Sequence, residues 1–150
     1  MTRERSRSRG LLVAIGALLA LAISASSPVW AGSEVSASQD SSKPFVVKIH
    51  ADWCGTCTRL NGPLEALHQQ VGDGARIVVL DVTDRKAVAA STAEADRLGI
   101  RGFFDQYKGR TGTVGVLDGS TRETVAVLKG EMDVAVYEKA IATASAGSSS

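Results

Sequence analysis

The chain has 150 residues, 44% of them hydrophobic and 22% charged, with a formal net charge of +1. That length suits one domain with a real core, and so even a balance excludes the basic face that nucleic-acid binding requires. The charge is unevenly placed: residues 1–31 hold four arginines and one glutamate, and the remainder carries 13 basic against 15 acidic side chains.

Arg3, Arg5, Arg7 and Arg9 precede an apolar run, Leu11–Ala25 (LLVAIGALLALAISA). Ser26-Ser27-Pro28-Val29-Trp30-Ala31 follows, with Val29 and Ala31 spaced for signal peptidase. A basic start, a short apolar core and a small-residue site together read as a secretory signal over residues 1–31. The apolar core is short against the roughly 20 residues of a membrane span. An uncleaved anchor is the alternative, and any membrane contact would run through this segment alone. No cysteine near the cleavage region supports lipid attachment, and no adjacent arginine pair supports a twin-arginine signal. The mature chain is expected to begin near Gly32, in the periplasm or outside the cell. Residues 32–42 (GSEVSASQDSS) read as a flexible linker and residues 145–150 as a disordered tail. The domain is then expected over residues 43–144.

Within it the pattern alternates. Phe45–His50 (FVVKIH) reads as a buried strand, followed by Ala51-Asp52-Trp53 and Cys54-Gly55-Thr56-Cys57. A helix is predicted from Cys54 to about Gln70, with Leu60, Leu64, Leu67 and Val71 on one face and a kink at Pro63. Gly72-Asp73-Gly74 ends it. Arg76–Val82 is a second strand, whose continuous apolar run predicts a central position covered on both faces. Thr83 or Asp84 caps the next helix, which runs to about Leu98 and stops at Gly99. Thr113–Leu117, a turn at Asp118-Gly119-Ser120 and Glu123–Leu128 predict a hairpin. Gly130 breaks the last strand, and Met132–Ala144 is a final amphipathic helix with Val136, Ala140 and Ile141 in one stripe. There is no internal repeat.

The two cysteines carry the chemistry. Thiols two residues apart at a helix start can close a small disulfide ring. The first sulfur then faces unpaired N–H groups and the positive end of the helix dipole, which favour the reactive thiolate. Cys54 is therefore the expected nucleophile and Cys57, one turn on, the resolving thiol. A purely structural disulfide is disfavoured, because so short a loop removes little entropy from the unfolded chain. A structural zinc site wants four ligands. The alternative is a copper- or zinc-binding module in which His50 joins Cys54 and Cys57.

The order strand, helix, strand, helix, hairpin, helix resembles the thioredoxin fold over roughly residues 43–144. Ala51-Asp52-Trp53-Cys54-Gly55-Thr56-Cys57 is close to the W-C-G-P-C of that family, and Gly130 stands where the family has a glycine after its last strand. The resemblance implies an α/β fold, a mixed sheet of about four strands flanked by helices, with the C-x-x-C at a strand-to-helix junction. It also implies an oxidoreductase exchanging disulfides with protein thiols, without an organic cofactor. Exported members include reductants and oxidants. The W-C-G-x-C form leans towards reductant, which would need electrons from a membrane thiol carrier.

Three positions depart from the family. Thr56 replaces the proline between the cysteines, a place that tunes thiolate stability and potential. Lys48 aligns with a buried acid that assists proton transfer. It could steady a thiolate, but the expected behaviour is that its stem snorkels and its ammonium reaches water. The family's cis-proline opposite the cysteines is missing, since the only prolines are Pro28, Pro44 and Pro63. One register puts Phe104 there; the one adopted puts Val114 there and makes Ile100–Arg110 an insertion. Phe103, Phe104 and Tyr107 of that insertion are expected to pack beside the sheet, the alternative being a lip over the site. Trp53 either shapes the docking surface or is a half-buried aromatic.

Overall fold

The computed structural model describes residues 42–147. The expected signal, nearly all of the linker and the last three residues of the tail lie outside that range. Among the described residues, no helix is long and apolar enough to cross a membrane.

Four strands form one mixed sheet in the order β2-β1-β3-β4: β1 (Phe45–His50), β2 (Arg76–Asp81), β3 (Thr113–Leu117) and β4 (Thr124–Lys129). β1 runs parallel to β2 and antiparallel to β3, and β4 closes a hairpin with β3. The helices are α1 (Gly55–Arg59), α2 (Asn61–Val71), α3 (Arg85–Leu98), α4 (Arg101–Tyr107) and α5 (Val134–Gly147). The fold is thioredoxin-like: a mixed four-stranded sheet flanked by helices.

Alternation along β1 divides the core. Val46 joins Leu60, Leu64 and Leu67 of the α1–α2 segment, Val114 and Val116 of β3, and Tyr137 and Ile141 of α5. Phe45, Val47 and Ile49 point the other way, onto Ala95, Ile100, Phe103 and Phe104 of the α3–α4 segment. β1 is therefore buried on both faces, and so is its neighbour β3. β2, read from its apolar run as central, is an edge strand instead, and its Val79 is 54% exposed. Cover on both faces is incomplete as well, since Leu80 alone of its six residues is buried, so the apolar run is a weak guide even to what lies above and below the strand. It carries no information about whether another strand pairs alongside.

The long first helix is two helices. Its first piece ends at Arg59 and the second begins at Asn61, with Leu60 between. Pro63 has no N–H to offer the carbonyl of Arg59, four residues back, so the ladder breaks one turn ahead of the proline. Asp84 caps α3 by accepting the Ala87 N–H at 2.8 Å, and Gly99 ends it in the left-handed region at φ +73°. The supposed insertion folds as α4. Phe103 and Phe104 are buried in the core rather than forming a lip, and the Phe103 and Tyr107 rings lie 4.7 Å apart. Gly115 of β3 makes room for this, since a Cβ there would fall 2.2 Å from the Phe103 ring.

Candidate active site

The site begins where β1 ends. Ala51 accepts the Cys54 N–H at 3.0 Å, turning the chain into α1. Cys54 is the N-cap of that helix, and its Sγ accepts the Cys57 N–H at 3.1 Å. A donor aimed at this sulfur favours its charged form. Cys54 and Cys57 are joined in a disulfide with their Cα atoms 5.2 Å apart. Cys57 is fully buried, its Sγ 3.6 Å from the carbonyl of Ile49, and Cys54 is the outer of the pair.

Trp53 stands beside the disulfide, 68% exposed. Its indole N–H points at the Thr83 carbonyl, 3.4 Å away. Thr83 also accepts the Asp52 N–H at 2.9 Å and donates its own hydroxyl to Asp81. That hydroxyl is the main reason the Asp81 carboxyl sits below the usual carboxylate range. The β2–α3 loop thus fixes the Ala51–Trp53 loop and holds the indole on the surface, so the half-buried reading of Trp53 does not apply. Gly55 faces open space.

Opposite the disulfide stands Gly112, not Val114. A Cβ on Gly112 would lie 3.8 Å from the Cys54 Sγ and 3.1 Å from the Thr56 methyl. Its N–H donates to Ile49 and its carbonyl accepts from Gly130, each at 3.0 Å. Both glycines have positive φ, +76° and +64°. The Thr56 methyl is close to both, since a Cβ on Gly130 would be 3.3 Å from it. Val114 sits two residues further on, fully buried and paired in register with Lys48 and Leu128. The register that puts Val114 there is two residues late because it follows the quality of the strand Gly115–Leu117 rather than the backbone ahead of it. The signal that was present is the glycine of Thr111-Gly112-Thr113, just before the strand.

Lys48 does not snorkel. It is 2% exposed, and its Nζ donates to the carbonyl of Cys57 at 2.8 Å and to Asn61 Oδ1 at 2.6 Å. The middle of β1 lies under α1 and α2, so a side chain on that face meets the helix break before it meets bulk water. Burial pushes the Lys48 ammonium below the usual lysine range. Asn61 was not singled out from the sequence, and nothing in a lone asparagine after Leu60 marks it.

His50 turns its Nε2 towards Asp52, 3.3 Å away, while the two sulfurs bond to each other. Among the described residues, no group of three or more His, Cys, Asp or Glu is placed to hold a metal ion.

The Thioredoxin family model matches residues 33–100, so that stretch of the chain is similar to the thioredoxin family. Three solved structures are similar to the chain. The Trxlp protein of Edwardsiella tarda shares 18% identity, covering 71% of this chain and 91% of its own, at a TM-score of 0.46. A thioredoxin-like protein solved in its oxidised form shares 16%, covering 70% and 79%, at 0.46. Oxidised thioredoxin from Plasmodium falciparum shares 18%, covering 74% and 89%, at 0.43. No curated protein matches the chain.

Proposed function

We propose that the protein is an exported thiol–disulfide oxidoreductase that reduces protein disulfides. The observation that carries this reading is the Cys54–Cys57 disulfide at the start of α1, one sulfur capped by a backbone N–H and the other buried behind it. In the dithiol form, the Cys54 thiolate attacks one sulfur of a substrate disulfide. The other substrate sulfur leaves as a thiolate and takes a proton from solvent. Cys57 then attacks the Cys54 sulfur, the mixed disulfide breaks, and the second substrate thiolate departs. The substrate gains two electrons, and Cys54 and Cys57 lose them as their disulfide forms.

Trp53 and the Gly112 loop flank Cys54 and would meet the substrate. The glycine leaves space beside the sulfur where a bulkier residue would stand. The reduced form must be regenerated by an external dithiol, and the N-terminal pattern supports a membrane thiol carrier as donor. Export is supported by the basic, apolar and small-residue order of residues 1–31.

The test is a trapping experiment on the reduced protein with a disulfide-bonded model protein. Cys57→Ser is expected to accumulate a covalent complex through Cys54 that dithiothreitol releases. Cys54→Ser should accumulate none. A Cys54→Ser protein that reduces the model disulfide at the wild-type rate would overturn the assignment. For export, the mass of the protein recovered outside the cytoplasm should match a start near Gly32. Full-length protein confined to the cytoplasm would contradict it.

A further inference from the structure

Lys48 stands at the centre of β1, paired in register with Val79 on one side and Val114 on the other. Neither neighbour carries charge. Its ammonium is satisfied by two neutral oxygens, the Cys57 carbonyl and the Asn61 amide, and no carboxylate is paired with it among the described residues. It lies at the edge of a cavity of about 390 Å³ walled by Leu64, Ile77 and Val79. The titratable groups that share this cavity are Glu65 and His68 of α2. Glu65 is turned along its own helix, accepting from Gln69 at 3.3 Å. From α1, the titratable group next to Lys48 is Cys57.

Across the same peptide unit lies a sulfur poorly placed to ionise. Cys57 Sγ is fully buried and faces the Ile49 carbonyl oxygen. Burial disfavours a thiolate, and so does a carbonyl dipole with its negative end towards it. A nearby positive charge in the same low-dielectric interior offsets this. We propose that Lys48 is a positioning residue for Cys57, its buried ammonium holding the resolving sulfur as a thiolate in the reduced protein. The inference rests on the exchange reading above and names what drives its second step. The Cys57 thiolate attacks the Cys54 sulfur, the bond from Cys54 to the substrate sulfur breaks, and that sulfur leaves with the electron pair and takes a proton from solvent. Lys48 is unchanged throughout. The same charge favours the dithiol over the uncharged disulfide, so Lys48 raises the reduction potential while it speeds release.

The full chain is compared with Lys48→Met, which keeps length and removes charge, and with Val79→Glu. The second places a carboxylate beside Lys48 at a half-exposed position that tolerates change. In a Cys54→Ser background, thiolate absorbance against pH reads Cys57 directly. Lys48→Met is expected to raise its pKa by about one unit, and Val79→Glu to raise it by less. With both cysteines present, Lys48→Met should favour the disulfide about tenfold more in glutathione buffers, a shift of roughly −30 mV for a two-electron couple. Titration curves and glutathione equilibria unchanged in both variants overturn this proposal and leave the exchange reading standing. If Lys48→Met does not fold, Val79→Glu decides alone. A wild-type chain that shows no glutathione-driven transition removes the exchange reading and this proposal together.

Discussion

Gly112→Ala tests the geometry opposite the disulfide. The backbone there has φ +76°, where an alanine costs roughly 1–2 kcal/mol because its Cβ crowds the following carbonyl. The new Cβ would also sit 3.1 Å from the Thr56 methyl and 3.3 Å from the Thr56 Cβ. Both atoms belong to a short helix tied down by the disulfide, so they yield only partly, and overpacking of this kind adds about 1 kcal/mol. The total is roughly 2–3 kcal/mol. Urea unfolding of the oxidised protein measures it, with an unchanged slope showing that the native state alone is affected. Thr56→Ser removes the methyl and leaves the backbone term. In a double-mutant cycle it is expected to recover about 0.5–1 kcal/mol of the loss, since touching residues couple on that scale. A loss below about 0.5 kcal/mol would refute the backbone argument. Perfect additivity with Thr56→Ser would refute the contact.

Gly115→Ala should be comparably costly for a purely steric reason, because its Cβ would fall 2.2 Å from the Phe103 ring. A loss of about 1–3 kcal/mol is expected, partly recovered in a Gly115→Ala/Phe103→Leu double variant, as read by thermal unfolding. Acid should expose the hairpin. The N–H of Thr121, with the hydroxyl and N–H of Ser120, holds the Asp118 carboxyl down at about 2, below its ordinary 3.8. A carboxyl whose folded-state pKa is depressed contributes stability above its unfolded pKa, and that contribution disappears as protons bind the folded form. Urea midpoints should therefore fall between about pH 4 and pH 2, and Asp118→Asn should flatten that part of the profile. An equal slope in the variant would assign the acid sensitivity elsewhere.

The fold was legible wherever local chemistry and topology agree. β1 matched residue for residue, and the Asp84 cap and Gly99 stop bounded α3, because those elements are set by side chains within the element itself. Cys54 and Cys57 were legible for the same reason: the ring they close is local. What escaped depended on partners distant in sequence. The apolar run of β2 looked the same whether or not a strand lay outside it. Pro63 was seen as a kink, but its missing N–H acts on the carbonyl of Arg59 and divides the helix. Lys48 was expected to reach water, since the sequence holds no record that α1 and α2 roof that part of β1 or that the Cys57 carbonyl waits there. Gly112 was overlooked in favour of Val114 because hydrophobicity marks where a strand runs, whereas the close approach of a backbone to a sulfur leaves only a glycine as its trace.

A glutathione titration of the full chain, read by alkylation of Cys54 and Cys57, tests the central claim most directly. The account requires both thiols to oxidise together in one reversible two-electron step. Its midpoint should lie closer to the roughly −270 mV of thioredoxin than to the roughly −120 mV of a strong oxidant. A midpoint near the latter would reverse the proposed direction of electron flow. Thiols that remained reduced across the whole glutathione range, or that oxidised independently of each other, would contradict the account itself.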